Sequence, residues 1–500
     1  MKGSDSVISE TTLVPLSPKD AACFRDVCRA AGYTQTKLHE TFEFLVPPPS
    51  DRLPPALLAS LGPCESPFDV LARLFFLGVP VDADVAGTLL PTAIVQSCLQ
   101  SGLVSQDESK LCPAATLVPV DDLLFAADLQ RTDYLDNDLF VPTLCDAALH
   151  LNAVAIHNRG GKTLDLCSGF ALHGITASGR SESVVASDLN PRAAEFARFN
   201  AALNGCENVR AVTGDLFSAV AGERFDTILA NPPFIISPSA VTTYRYSPFE
   251  LDGFIKIMFA AVPEHLEEGG TFQTICEWVE LEGQDWQDRL RSWFAGSGCD
   301  VWVLSANRQF PSTYARSVLS QSIDDESELS TQQQQWEQYL RQRGVAAIQG
   351  GFIFLRRRRG NNWFDFTELT KPVREPIGDA IAQGFASRDI VFGSDGDDRL
   401  LSSRLAVADG LRQVETSHWK DFRWKRDSIV LHLDKGLPVT IGIDGYIRTL
   451  IEQFDASRNV QQCLDLFSKE IGLPIETGRK KGLDVVRSML KNGILVAMPK

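Results

Sequence analysis

Positive charge is scarce in this 500-residue chain: 48 Lys and Arg stand against 64 Asp and Glu, a formal net charge of −16. Phosphate contacts dominate the affinity of nucleic-acid binders. The balance therefore disfavours a nucleic-acid partner and points to a protein, peptide or small-molecule one, although a local basic patch stays compatible with it. Long apolar runs are missing too. No stretch of about 18 apolar residues occurs, so no membrane span is expected. Met1 to Pro15 is polar and lacks the apolar segment of a secretory signal. The 11 cysteines form no Cys-X-X-Cys pair and no metal-ligand spacing, so no metal site is expected. Scattered thiols of this kind fit reduced side chains in a cytoplasmic protein. Nothing in the sequence sets an oligomeric state.

What is present is ordinary for a globular chain, 44% hydrophobic and 22% charged, and its length calls for more than one domain. The most informative stretch is Asn231-Pro232-Pro233-Phe234, which follows the apolar run Phe225 to Ala230. An amide or ring-attached amine has its lone pair delocalised. At such a turn the Asn side-chain oxygen and the first Pro carbonyl can each accept one of its N–H bonds, fixing the lone pair toward an electrophile. The prolines stiffen the turn, and the ring can stack on a planar acceptor.

Other signals stand upstream in order. Thr163 to Leu166 reads as a strand leading into the small-residue turn Cys167-Ser168-Gly169, and Ser183 to Asp188 as a second strand ending in an acid. Asp188 lies about 20 residues past the turn, the spacing at which a βαβ unit sets a carboxylate against a ribose. Asn190 and Pro191 open a helix. Asn208 to Val212 is a third strand, with Asp215 and Leu216 at its exit. Ligands of open α/β sheets bind at the carboxyl ends of the strands, where all of these signals fall.

On these motifs, residues from about 160 to 280 resemble a class I S-adenosylmethionine-dependent methyltransferase of the Asn-Pro-Pro-Phe/Tyr branch. That branch includes release-factor glutamine methyltransferases, ribosomal-RNA guanine N2-methyltransferases and adenine N6-methyltransferases. The resemblance implies S-adenosylmethionine as cofactor. Asp165 and the backbone of Cys167 to Gly169 would hold its amino-acid portion, Asp188 its ribose hydroxyls and Leu189 its adenine face. Asp215 would accept from the adenine amino group, with a backbone contact from Leu216. Asn231, which would also border the cofactor, and Pro232 would orient the acceptor nitrogen, and Phe234 would stack on it. One departure stands out: the family's first loop reads DxGxGxG, whereas here only Gly169 and Gly174 remain, with Phe170 and Leu172 among them. His173 reads as a helix-start residue beside that loop or as a base. The expected function is methyl transfer to a planar amide or amine nitrogen of a protein, peptide or small molecule. The alternatives are a nucleic-acid base methyltransferase and a non-catalytic scaffold that keeps the fold.

The expected architecture is α/β: a Rossmann-like, seven-stranded class I methyltransferase domain over residues 131–360, its last strand antiparallel. A helical, winged-helix-like region (1–130) would precede it, and an α+β, again winged-helix-like region (361–500) would follow. Residues 61–110 hold only Arg73 and Lys110 as cations, so a structural or protein-contact role is expected of that first region. Phe140-Val141-Pro142-Thr143 resembles the segment that lids the cofactor in glutamine methyltransferases. The loop 235–250, with Tyr244, Arg245 and Tyr246, is expected over the acceptor pocket. Residues 311–335 are polar, run into four consecutive Gln and read as a mobile insertion. Arg356 to Arg359 reads as a solvated strand end, and as the docking point for an anionic substrate.

Overall fold

The computed structural model describes residues 12–498 apart from 136, 157–158, 239–243, 247–248, 374 and 394. Its centre is an eight-stranded sheet. In chain order the strands are β1 (Lys162–Leu166), β2 (Ser183–Asp188), β3 (Val209–Thr213), β4 (Phe225–Ala230), β5 (Leu266–Leu281), β6 (Cys299–Gln309), β7 (Val345–Arg357) and β8 (Phe364–Glu368). Across the sheet they run β8-β6-β7-β5-β4-β1-β2-β3. Only β7 is antiparallel to its neighbours. The seven expected strands are there with the last one reversed, and an eighth, β8, joins parallel to β6 beyond residue 360. The order reverses between β1 and β4, the switch point at which such sheets leave a crevice. Register brings the strand ends level there: Leu166 pairs with Ala230 and with Ser187, and Asp188 with Thr213.

The N-terminal region has the strand–helix–helix–hairpin order of a winged helix: Val81–Asp82, Ala83–Leu89, Thr92–Ser101, then Val104–Asp107 paired with Lys110–Pro113. Asp82 caps the first of these helices by accepting from the Asp84 and Val85 amides. A second hairpin, Ala115–Val120 with Leu123–Asp128, lies against the helix Pro191–Asn204. Two asparagines of that helix serve the free edge of the hairpin. The Asn200 side chain accepts from Ala126 N (2.7 Å) and donates to Ala126 O (2.8 Å), and Asn204 does the same for Leu124. An exposed strand edge is a liability that must be covered, and here side-chain amides cover it. Phe170, Leu172, Phe196 and Phe199 share one hydrophobic core with Phe24, Phe75 and Phe125 of the N-terminal region.

Beyond β8, the helix Gly378–Val391 carries Arg388, fully buried. Its guanidinium donates to Asp365 (2.9 Å) and Thr367 (3.0 Å) and lies 3.6 Å from the ring centre of Trp302. Burial lowers it to about 10, against the pull of Asp365. A three-stranded sheet follows, Arg404–Val407 between Asp455–Asn459 and Leu495–Ala497, packed by the helices Val460–Glu470 and Ile475–Lys491. Between the first two of these strands, a hairpin of Leu411–Lys420 and Arg423–Leu433 extends outward, its outer strand exposed or half-exposed along its length.

Two expectations need correction. Residues 311–335 are not an unstructured insertion but contain the helix Pro311–Leu319 and the start of Glu326–Gln342. The few apolar residues of these two helices are placed at helical spacing, so Tyr314, Val318, Leu329, Trp336 and Leu340 all enter one core. The basic run at 356–359 is not a free docking point. Arg356 and Arg358 both pair with the buried Asp300, and Arg357 donates to the carbonyls of Pro263 and Leu266. Only Arg359 remains in solvent, 92% exposed.

Candidate active site

The turn after β1 is held by its own carboxylates. Gly174 N donates to Asp165 Oδ2 (2.7 Å), and Asp188 receives Gly169 N on Oδ2 (2.8 Å) and Asn190 N on Oδ1 (2.9 Å). Gly174 stands in close quarters: a Cβ there would lie 3.1 Å from Asp165 Cβ and from Val184 Cγ1, so either neighbour would have to give by a few tenths of an ångström. Burial pushes Asp165 well above the usual carboxylate range, the Gly174 bond opposing and the charge of Asp188 adding to it. Burial also raises Asp188, against its backbone hydrogen bonds.

The departure from the glycine-rich loop takes a different form from the one the sequence suggested. Phe170 and Leu172 do not intrude on the crevice. Their side chains are buried in the N-terminal core, Phe170 edge-on to Phe125 at 5.7 Å, and Phe170 O accepts from Asn200 (2.9 Å). The residues in left-handed backbone are Cys167 (φ 56°), Gly169 (φ 51°) and Ala171 (φ 65°). They occupy the three glycine positions of DxGxGxG counted from Asp165, so the loop keeps the glycine path with side chains at two of its three points. Left-handed backbone costs a non-glycine residue about 1–2 kcal/mol. Leu216, at the β3 exit, is left-handed as well (φ 44°).

Around this loop, Asp165 Oδ1, Ser168 Oγ and Ser187 Oγ are buried with no hydrogen-bond partner among the described residues. Buried polar atoms are rarely left so, and the two at the loop itself, Asp165 Oδ1 and Ser168 Oγ, fit a polar ligand such as the amino-acid portion of S-adenosylmethionine. Leu189 and Asp215 stand exposed at the ends of β2 and β3, open to the same crevice edge.

Asn231 to Phe234 leave the end of β4 beside it. Pro232 is buried, Asn231 and Phe234 half-buried, and Phe234 packs on the core beneath the sheet. The loop that follows is fastened at several points. Ile236 N donates to the Tyr314 hydroxyl (2.9 Å), which donates to Glu277 Oε2 (2.5 Å). Arg245 donates to Gln321 (2.7 Å), and Tyr244 to Leu135 O (3.1 Å). Phe140 meets the Tyr244 ring edge-on at 5.5 Å, so the segment expected as a lid is braced against the acceptor loop. Of that loop, residues 239–243 and 247–248 lie outside the described residues. Burial pushes Glu277 up to about 7, with the Tyr314 bond opposing.

Sequence reasoning missed Glu277, Tyr314 and Cys145. Cys145 precedes the helix Asp146–Val154, and its thiol contacts the Asn231 side chain. Glu277 had a slight signal, an acid set between Cys276 and Trp278 in β5. Cys145 lies two residues past Thr143, the end of the lid segment, and Thr143 Oγ1 is another buried atom without a partner among the described residues. His173, in the first turn of the helix Leu172–Ser178, is buried.

A switch-point crevice with an acid at the end of β2 and Asn-Pro-Pro-Phe at the end of β4 defines a class I S-adenosylmethionine-dependent methyltransferase domain. Residues 136–279 match the family described as methyltransferase small domain, and residues 51–114 a domain of unknown function, DUF7059. Over 148 residues the chain is 28% identical to a Methanocaldococcus jannaschii protein provisionally named a protein N5-glutamine methyltransferase, covering 28% of this chain and 73% of that protein. It is 33% identical over 109 residues to the release factor glutamine methyltransferase of Xylella fastidiosa, covering 20% of this chain and 37% of that one. It is 31% identical over 134 residues to the ribosomal protein uL3 glutamine methyltransferase of Xanthomonas campestris, covering 24% and 42%. The chain thus spans about two fifths of the length of these last two relatives. Among solved structures, M. jannaschii TYW2 in complex with AdoMet is 13% identical, with 49% of this chain and 87% of that one covered and a TM-score of 0.28.

Proposed function

We propose that this chain is an S-adenosylmethionine-dependent N-methyltransferase whose acceptor is the side-chain amide of a glutamine in a protein. The observation that carries the reading is the meeting, at one switch point, of an Asn-Pro-Pro-Phe turn with a carboxylate cradle whose buried polar atoms lack partners among the described residues. The named activities of the relatives support the choice of a glutamine amide, and the acidic balance of the chain supports a protein acceptor over a nucleic acid.

S-adenosylmethionine, when bound, supplies an electrophilic methyl group. Asp165, with Cys167 to Gly169, would hold its amino-acid portion, Asp188 its ribose, and Leu189, Asp215 and Leu216 its adenine. Both Asp188 oxygens accept backbone bonds and keep lone pairs for hydroxyls. The Asn231 side-chain oxygen and the Pro232 carbonyl accept the two N–H bonds of the acceptor amide, turning the nitrogen lone pair into the crevice and stabilising the positive charge that grows on it. Phe234 covers the amide plane. The proton leaves after the methyl arrives, when the nitrogen is strongly acidic, so no strong base is needed. Working divisions fall near residue 130 and after β8, and a cytoplasmic setting suits a protein acceptor of this kind.

The test begins with calorimetric titration of S-adenosylmethionine and its demethylated product into wild type and Asp188→Ala. Labelled-methyl transfer to glutamine-containing peptides and proteins follows, in wild type and Asn231→Ala. Asn231→Ala should bind cofactor normally and lose transfer by about a hundredfold or more, the scale of removing one preorganised polar group. Wild-type turnover in that variant would refute the acceptor role. Absence of cofactor binding in wild type would favour the scaffold alternative.

A further inference from the structure

The hairpin Leu411–Lys420/Arg423–Leu433 has no part in the methyl-transfer reading, and its tip is unlike the rest of the chain. Between His418 and Arg426 there are four cations and one acid, in a protein of net charge −16. Three large rings stand in solvent there: Trp419 58%, Trp424 69% and Phe422 94% exposed. Trp419 and Trp424 are directly opposed across the strands, edge to face at 5.6 Å. Lys420 and Arg423 are the next pair, beside the turn. Lys425 is held by Asp421, Arg426 by Glu415 and His418 by Asp427. Lys420 and Arg423 have no ion-pair partner among the described residues.

The turn itself works against local stability. Asp421 (φ 53°) and Phe422 (φ 61°) are both left-handed, as a two-residue turn of the type that favours Asn-Gly demands. Placing Phe there incurs left-handed strain and leaves an apolar ring in water. Strain of this kind, where no packing repays it, directs attention to function.

We propose that this tip binds single-stranded RNA, with bases stacking on Trp419, Phe422 and Trp424 and phosphates meeting Lys420 and Arg423. Rings interleaved with cations are what an unpaired strand requires: every base offers a flat face, and the backbone offers charge. An acidic peptide would use the cations and leave the rings idle. An anionic membrane would take the rings, but Asp421 sits at the turn beside Phe422 and would have to enter with it. The proposal does not depend on the identity of the methyl acceptor.

The experiment is fluorescence anisotropy of the full-length protein with 5′-labelled 15-mers of uridine and adenosine, across a salt series. Binding should weaken with salt, the logarithmic slope being about −1.5 to −3 for two to four phosphate contacts. Trp419→Ala/Trp424→Ala should weaken it by about tenfold or more, and Lys420→Gln/Arg423→Gln should flatten the slope. Phe422→Gly relieves the left-handed strain, so this variant keeps the fold, and weaker RNA binding in it cannot come from unfolding. Calorimetric cofactor binding, run on all variants, should stay at wild type. The proposal is overturned by no RNA binding in wild type, or by affinity indifferent to loss of the rings. It is equally overturned by polyglutamate, or by phosphatidylserine vesicles, binding as tightly as RNA in a ring-dependent way.

Discussion

Asn200 offers the sharpest test of how the cofactor loop is supported. It is fully buried and satisfies three backbone groups: the N–H and C=O of Ala126 and the C=O of Phe170. Asn200→Leu keeps the side chain's length and apolar fit while removing every partner. A hydrogen bond is worth about 0.5–1.5 kcal/mol net, but a buried group left unpaired costs about 1–3 kcal/mol. Three groups stranded together give an expected loss of about 3–9 kcal/mol, a large part of the roughly 5–15 kcal/mol that stabilises most proteins. Because Phe170 is one of the three, the damage should reach the loop that carries Gly169. The assay is urea unfolding followed by circular dichroism, with hydrogen exchange read on segments 123–128 and 167–176. Exchange in both segments should rise together, and cofactor affinity should fall. A loss under about 1 kcal/mol, with protection unchanged in the loop, would refute the claim that hairpin, helix and loop are one unit.

Other outcomes follow from the same geometry. Glu277 titrates at about 7 in the fold against an ordinary value of 4.5, so the unfolded state gives up its proton first and stability should fall as pH rises from about 4.5 to 7, then level off; Glu277→Gln should remove that fall when urea midpoints at pH 5 and pH 8 are compared with wild type. Ala171→Gly relieves left-handed strain, and against the greater freedom of glycine when unfolded it should be neutral or stabilising by up to about 1 kcal/mol, read as a shift in urea midpoint; clear destabilisation would mean that the Ala171 methyl contributes more by packing than its backbone loses. Asp188→Ala strips Gly169 N and Asn190 N of their acceptor and should weaken cofactor binding by about tenfold or more, measured by calorimetry; unchanged affinity would show that the ribose lies elsewhere.

The strands around the crevice were legible because each is a short apolar run closed by a turn residue, and because acids and an Asn-Pro-Pro-Phe turn fall where such strands end. What escaped reading depends on contacts between distant segments. Glu277 and Tyr314 come from a strand and a helix that the sequence gives no reason to join, and the helix was hidden because its apolar residues are few. The charged run at 356–359 could not be told from a free patch until Asp300, more than fifty residues away, was seen beneath it. The glycine-poor loop misled in the opposite direction. The bulky residues face the N-terminal region, with which they share a core, and the real substitutions, Cys167 and Ala171, are small enough to go unnoticed.

The shared core between Phe170, Leu172 and the N-terminal hairpin has a practical consequence for where the chain can be cut. A fragment beginning near residue 131 would retain every motif of the methyltransferase segment and still expose the back of its own cofactor loop, with Asn200 and Asn204 facing water where a strand edge had been. Arg388 does the same at the other side, since truncation after β8 would leave Asp365 without its guanidinium. A piece that keeps these contacts therefore begins before Phe24, which shares that core, and ends after Lys491, so a catalytic core cannot be lifted out along the boundaries its motifs suggest.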